Sequence, residues 1–126
     1  MISWFEKHNK ISWLITIIGA ILIFYISSLP SAKLPYGINI YPIIYHILAF
    51  FCFGIFFFIS FFKGKKNSLF FISGILIIIS YAILDEIHQF FVLGRYCTLF
   101  DVFLDLVGIS FAFMLYIILI FSRRTR

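Results

Sequence analysis

Apolar positions along the chain gather into four long runs, about residues 11–29, 43–62, 68–93 and 99–121, separated by short stretches of polar residues and helix breakers. A helix that crosses a bilayer needs about 20 predominantly apolar residues, so each run predicts one crossing. The punctuation agrees. Pro30 ends the first run, and Pro35 and Gly37 mark Ser31 to Pro42 as a loop. Lys63-Gly64-Lys65-Lys66-Asn67 reads as a tight basic turn, Gly94 as the stop of the third helix, and Thr98 as an N-cap of the fourth. Met1 to Lys10 is a polar lead whose Trp4 and Phe5 suit an interfacial anchor. Within the first run Ser12, Thr16, Gly19 and Ile23 recur at helical spacing, a narrow face on which a neighbouring helix can approach closely.

Composition removes the soluble alternatives. The chain is 63% hydrophobic and 12% charged, with mean hydropathy +1.13, against roughly 25% charged residues in a soluble domain. With 126 residues, four spans and their connections exhaust the length, so the expectation is an all-α membrane protein of one domain, 1–126. The first run has an apolar core of 19 residues, longer than the roughly 7–15 of a secretory signal, so it is read as a span. The net charge of +5 does not indicate nucleic acid, because the basic residues flank the apolar runs as membrane anchors. Cys52 and Cys97 fit neither a disulfide framework nor a metal finger.

Charge also orients the chain. Four spans put the termini and the second connection on one side, with Lys7, Lys10, Lys63, Lys65, Lys66, Arg123, Arg124 and Arg126; the other side carries only Lys33 and Arg95. The positive-inside rule then makes both termini cytoplasmic. Counting 1.5 Å per residue from the basic inner edges, Ser28, His46, Asp85 and Asp105 all lie about 26–28 Å away. Four helices thus predict polar groups at one level, just inside the outer boundary of a hydrocarbon core about 30 Å thick.

Candidate chemistry concentrates there. Four of the five acidic residues, Asp85, Glu86, Asp101 and Asp105, fall within 21 positions. Each charge costs about 2.5–3.5 kcal/mol at the centre of a membrane helix, so the clustering asks for a reason beyond insertion. On the third helix Asp85, His88 and Gln89 share a face with Tyr81, while Glu86 points about 100° away beside Gln89. On the fourth, Asp101, Asp105, Gly108 and Ala112 form one stripe, carboxylates above small residues that can press on another helix. Like charges at that spacing call for a counter-charge, and Arg95 is the candidate, pairing Asp101 or Glu86 in bidentate fashion or binding an anionic group of a ligand. The candidate binding residues are therefore Ser28, His46, Asp85, Glu86, His88, Gln89, Arg95, Asp101 and Asp105.

Several chemistries compete for this set. The carboxylates with His88 and His46 could bind a divalent cation, but no HExxH or comparable spacing is present, so no metal ligands and no cofactor are expected. An acid–base pair acting on a membrane-embedded substrate is a second reading, and recognition of an amphipathic ligand at the outer leaflet is the leading one. The bland alternative is an ion-paired rim that fixes helix register and nothing more.

Ser27-Ser28-Leu29-Pro30, His46, Asp85-Glu86-x-x-Gln89-x-Phe91 with Gly94-Arg95, then Asp101 and Gly108, resemble the VanZ-like family of small bacterial membrane proteins. The resemblance covers roughly Ser27 to Ala112. It departs from the family pattern at Pro42-Ile43, where an Asp-Lys pair is common, and at Asp105, where Asn is common. It implies a multi-pass protein of the bacterial cytoplasmic membrane, in a family whose namesake assists resistance to glycopeptides such as teicoplanin. The partners expected on this basis are membrane lipids and a lipid-linked cell-wall precursor or lipoglycopeptide. The leading expectation is a non-enzymatic envelope factor, with a small intramembrane enzyme acting on a lipid-linked substrate as the alternative.

Overall fold

The computed structural model describes residues 2–30, 40–64 and 68–122, and among these every regular element is a helix. In order they are α1 (Ile2–Lys7), α2 (Asn9–Ser27), α3 (Ile40–Phe62), α4 (Ser68–Phe90) and α5 (Leu99–Ser122). The last four are long and apolar enough to cross a membrane. A helix satisfies its own backbone hydrogen bonds, which is why apolar runs of this length take no other form in lipid. Lys33, Lys65, Lys66, Arg123, Arg124 and Arg126, and the breakers Pro35 and Gly37, lie outside the described residues.

Several boundaries differ from the sequence expectation, among them the end of the first span, at Ser27 rather than Leu29. The polar lead is itself helical as α1, and His8, at φ −98° and ψ 54°, breaks it from α2. The second span begins at Ile40, inside the stretch expected to be loop. Pro42 is its third residue, a position whose N–H would have no intrahelical acceptor, so proline costs little there. The third span ends at Phe90 rather than Leu93. Phe91 N–H then bonds the His88 carbonyl and Val92 N–H the Gln89 carbonyl, each at 3.0 Å, and Gly94 takes φ +75° in the turn that follows. That tightened turn swings Arg95 back over the bundle.

α3 is the central helix, packed most extensively on α5 and then on α2. Its Phe50, Phe53, Phe57, Phe58 and Phe62 are buried, with the rings of Phe58 and Phe62 stacked at 5.3 Å. The stripe expected on the fourth span lets α5 lie directly on α3. A Cβ added at Gly108 would collide with the Ile47 carbonyl oxygen and lie 3.0 Å from Phe51 N, and Ala112 is completely buried below it. On α2 the narrow face is also real: Ser12, Thr16 and Ile23 are buried, and Thr16 Oγ1 lies 3.1 Å from Ser60 Oγ of α3. Tyr81 of α4 closes the bundle by donating to the Ala20 carbonyl at 2.7 Å. These contacts bring the polar ends of α2 to α5 to one end of the bundle.

Candidate functional site

The acidic stretch of α4 is split by helical geometry. Asp85 faces α2, where Ser27 Oγ donates to its Oδ2 at 2.7 Å. Glu86 faces α3 and α5, with Oε1 3.9 Å from His46 Nδ1 and Oε2 accepting from the Thr98 N–H at 3.4 Å. Gln89, one turn on, joins the two. Its amide donates to Asp85 Oδ2 at 3.2 Å and to Glu86 Oε1 at 3.0 Å, while its carbonyl oxygen accepts from Arg95 Nη1 at 3.0 Å. Both amide hydrogens and the oxygen are thereby used, as a buried side chain that is 2% exposed requires.

His46 and Asp105 form the second half of the cluster. His46 Nδ1 lies 2.8 Å from Asp105 Oδ1, a pair between α3 and α5 in which Asp105 is 0% exposed. The approach of α5 to α3 at Gly108, one turn below, is what sets this pair so close. Asp101 stands at the half-buried start of α5. Its N–H bonds Thr98 Oγ1 at 3.1 Å and its Oδ2 accepts from that hydroxyl at 2.7 Å, the capping arrangement expected of Thr98. A ring nitrogen of His46, a carboxylate oxygen of Glu86 and one of Asp101 all lie within 4.8 Å of one another. Spacing along the chain could not reveal this group, because its members come from three helices.

Ser28 and His88 stand apart from the buried cluster. The Ser28 hydroxyl donates to the Phe24 carbonyl at 2.7 Å, so the His88 Nε2–H, 2.9 Å away, donates to Ser28 Oγ. The His88 ring stacks on Phe24 at 4.4 Å. This is a half-buried link between α2 and α4 rather than part of the carboxylate group.

Arg95 departs from the role expected of it. It makes no ion pair with Asp101 or Glu86 among the described residues; its Nε donates to the Leu29 carbonyl at 3.2 Å and its Nη2 to the Ile26 carbonyl at 2.9 Å. Those carbonyls lie at and just past the end of α2, where Ile26 O also accepts the Leu29 N–H at 3.1 Å, and a guanidinium with donors spread over a fixed fork can reach two of them at once. Of the four carboxylates Glu86 and Asp105 have His46 as their ion-pairing neighbour, and two buried oxygens, Asp85 Oδ1 and Asp105 Oδ2, have no hydrogen-bond partner among the described residues.

The sequence model of the VanZ/LLP1 family matches residues 4–121, nearly the whole chain. The chain belongs to the VanZ/LLP1 family. No curated protein and no solved structure matches it. The VanZ/LLP1 residues quoted above gather at one end of the bundle: Ser27 and Ser28 from α2, His46 from α3, the acidic stretch of α4, and Asp101 from α5.

Ser27, Thr98 and Tyr45 adjoin this cluster without being among the binding residues expected from the sequence. Ser27 was legible, since it continues the buried series Ser12, Thr16, Ile23 by one more turn. Tyr45 had no such signal. Its buried hydroxyl has no partner among the described residues, and its ring sits 5.4 Å from that of His46. Tyr45 also lies on the wall of a groove of about 290 Å³ between α2 and α3, with Ile18, Gly19, Leu22, Ala49 and Phe53.

Proposed function

We propose that this VanZ/LLP1 protein is an envelope factor that binds or shields a lipophilic or lipid-linked ligand at the outer leaflet of the bacterial cytoplasmic membrane. The observation that carries this reading is the α2/α3 groove and what it leads to. Its lining runs from Ile15 to Ile26 on α2, about 16 Å at 1.5 Å per residue, and is apolar until Tyr45, next to His46. A hydrocarbon chain seated there has its polar end beside the buried carboxylates, which is the division of labour a lipid-anchored ligand needs. Ile18 and Leu22 are half exposed, so the groove opens sideways toward lipid. The bias of basic residues toward the termini supports cytoplasmic ends and an outward-facing cluster. An effect on glycopeptide susceptibility would follow from shielding of a cell-wall precursor.

The test is binding of a lipid-linked cell-wall precursor to protein in nanodiscs, followed by photocrosslinking from a probe in the lipid chain. Crosslinks on α2 and α3 that disappear in Ala49→Phe, which fills the groove, support the reading; crosslinks spread evenly over all lipid-facing residues overturn it. One observation favours an enzyme as the second reading, namely the buried His46–Asp105 pair with Glu86 at 3.9 Å from the same ring nitrogen. A His–carboxylate pair beside a further carboxylate is a plausible acid–base assembly. Turnover of the precursor that is lost in Glu86→Gln would replace the binding reading with this one.

A further inference from the structure

From the meeting of His46, Glu86 and Asp101, we infer that the junction of α3, α4 and α5 binds one divalent first-row metal ion, of the Zn²⁺ or Mn²⁺ class. The ligand atoms already lie within 4.8 Å of one another. Zinc takes nitrogen and oxygen ligands at about 2.0–2.2 Å, so small side-chain rotations bring all three onto one ion. An imidazole among carboxylates favours a transition ion over Mg²⁺ or Ca²⁺, which prefer oxygen alone.

A second, independent observation points the same way. Asp105 is 0% exposed, its Oδ1 is on His46, and its Oδ2 has no partner among the described residues. Asp105 bonds the same His46 ring that meets Glu86 and Asp101, so its carboxylate belongs to the same group of charges. A buried polar atom left unsatisfied is costly, and four carboxyl groups so near one another need positive charge or protons. Arg95 does not supply that charge, because its donors go to two backbone carbonyls and to Gln89. Outer partners of the kind a metal site requires are present on Glu86, whose two oxygens are held by Gln89 and the Thr98 N–H.

The inference does not rest on the lipid reading. The experiment uses the untagged full chain, stripped with EDTA in detergent and titrated with Zn²⁺ and Mn²⁺ separately. The expected result is one equivalent bound, a rise in the melting temperature, and an affinity lower by about tenfold or more in Asp101→Asn. Asp101 is half-buried and asparagine keeps an oxygen for Thr98, so this variant retains its fold. Bound Mn²⁺ should also show spin-echo modulation from an imidazole nitrogen, kept in His8→Gln and absent in His46→Gln. Sub-stoichiometric binding by the parent chain overturns the inference and leaves a cluster neutralised by protons. So does stoichiometric binding without the imidazole signal, or binding that Asp101→Asn leaves unchanged. Crosslinking of the lipid probe to the EDTA-stripped protein reports separately on the groove.

Discussion

Two adjacent serines at the end of α2 illustrate how much one helical step decides. Ser27 is fully buried and gives its hydroxyl to Asp85, whereas Ser28 is half-buried and bonds its own helix and His88. Removing a partner from a buried charged or polar group costs about 1–3 kcal/mol, while an exposed bond that water can replace costs far less. Ser27→Ala is therefore expected to lower stability in SDS-unfolding measurements by about 1–3 kcal/mol, and Ser28→Ala by well under 1 kcal/mol. Arg95 offers a second comparison. Its three hydrogen bonds need a planar fork, so Arg95→Lys should destabilise almost as much as Arg95→Ala, about 1–3 kcal/mol for either in the same measurement. A role in binding an anion by charge alone predicts instead that lysine preserves function and stability together.

Among the elements, the α3–α5 contact sets the geometry of the site. At Gly108 the two backbones approach so closely that a methyl group meets the Ile47 carbonyl, and no side-chain rotation can relieve a clash with backbone. Gly108→Ala should cost about 1–3 kcal/mol or more from overpacking. It should also lengthen the His46–Asp105 contact, visible as altered ring-nitrogen shifts of His46 by NMR. Gly19 on α2 serves as the control: its added Cβ meets the Phe53 ring at an ordinary 3.6 Å, so Gly19→Ala should leave stability within about 1 kcal/mol of the parent and could raise it through helix propensity. Both glycines sit in small-residue stripes that were visible in the sequence. Which stripe meets backbone and which meets a ring was not, because that depends on the partner helix and its height.

At the scale of the whole molecule the orientation of the bundle is the testable quantity. Cys97 lies in the α4–α5 connection and is free and exposed, while Cys52 is exposed on the lipid-facing side of α3, within the span. If the cluster faces outward, a membrane-impermeant maleimide should label Cys97 in intact cells. Cys52 should react only with a permeant reagent or after solubilisation. Labelling of Cys97 only after cell lysis would place the cluster on the cytoplasmic side and overturn the ligand reading with it.

Much was determined by the residues in order. Four apolar runs about as long as a hydrocarbon core is thick leave helices as the only backbone that can satisfy itself, and counting from their basic edges puts the polar groups at one height. Levels follow from local rise alone. What only the tertiary structure decided is which side chains at that height meet. Asp85 turns to Ser27, Glu86 to His46, and Arg95 to the end of α2 instead of to a carboxylate. Those choices depend on the rotation of each helix about its axis, held by close contacts at Gly108 and Ala20 far away along the chain, and on the turn after Phe90, held by its own backbone bonds and Gly94.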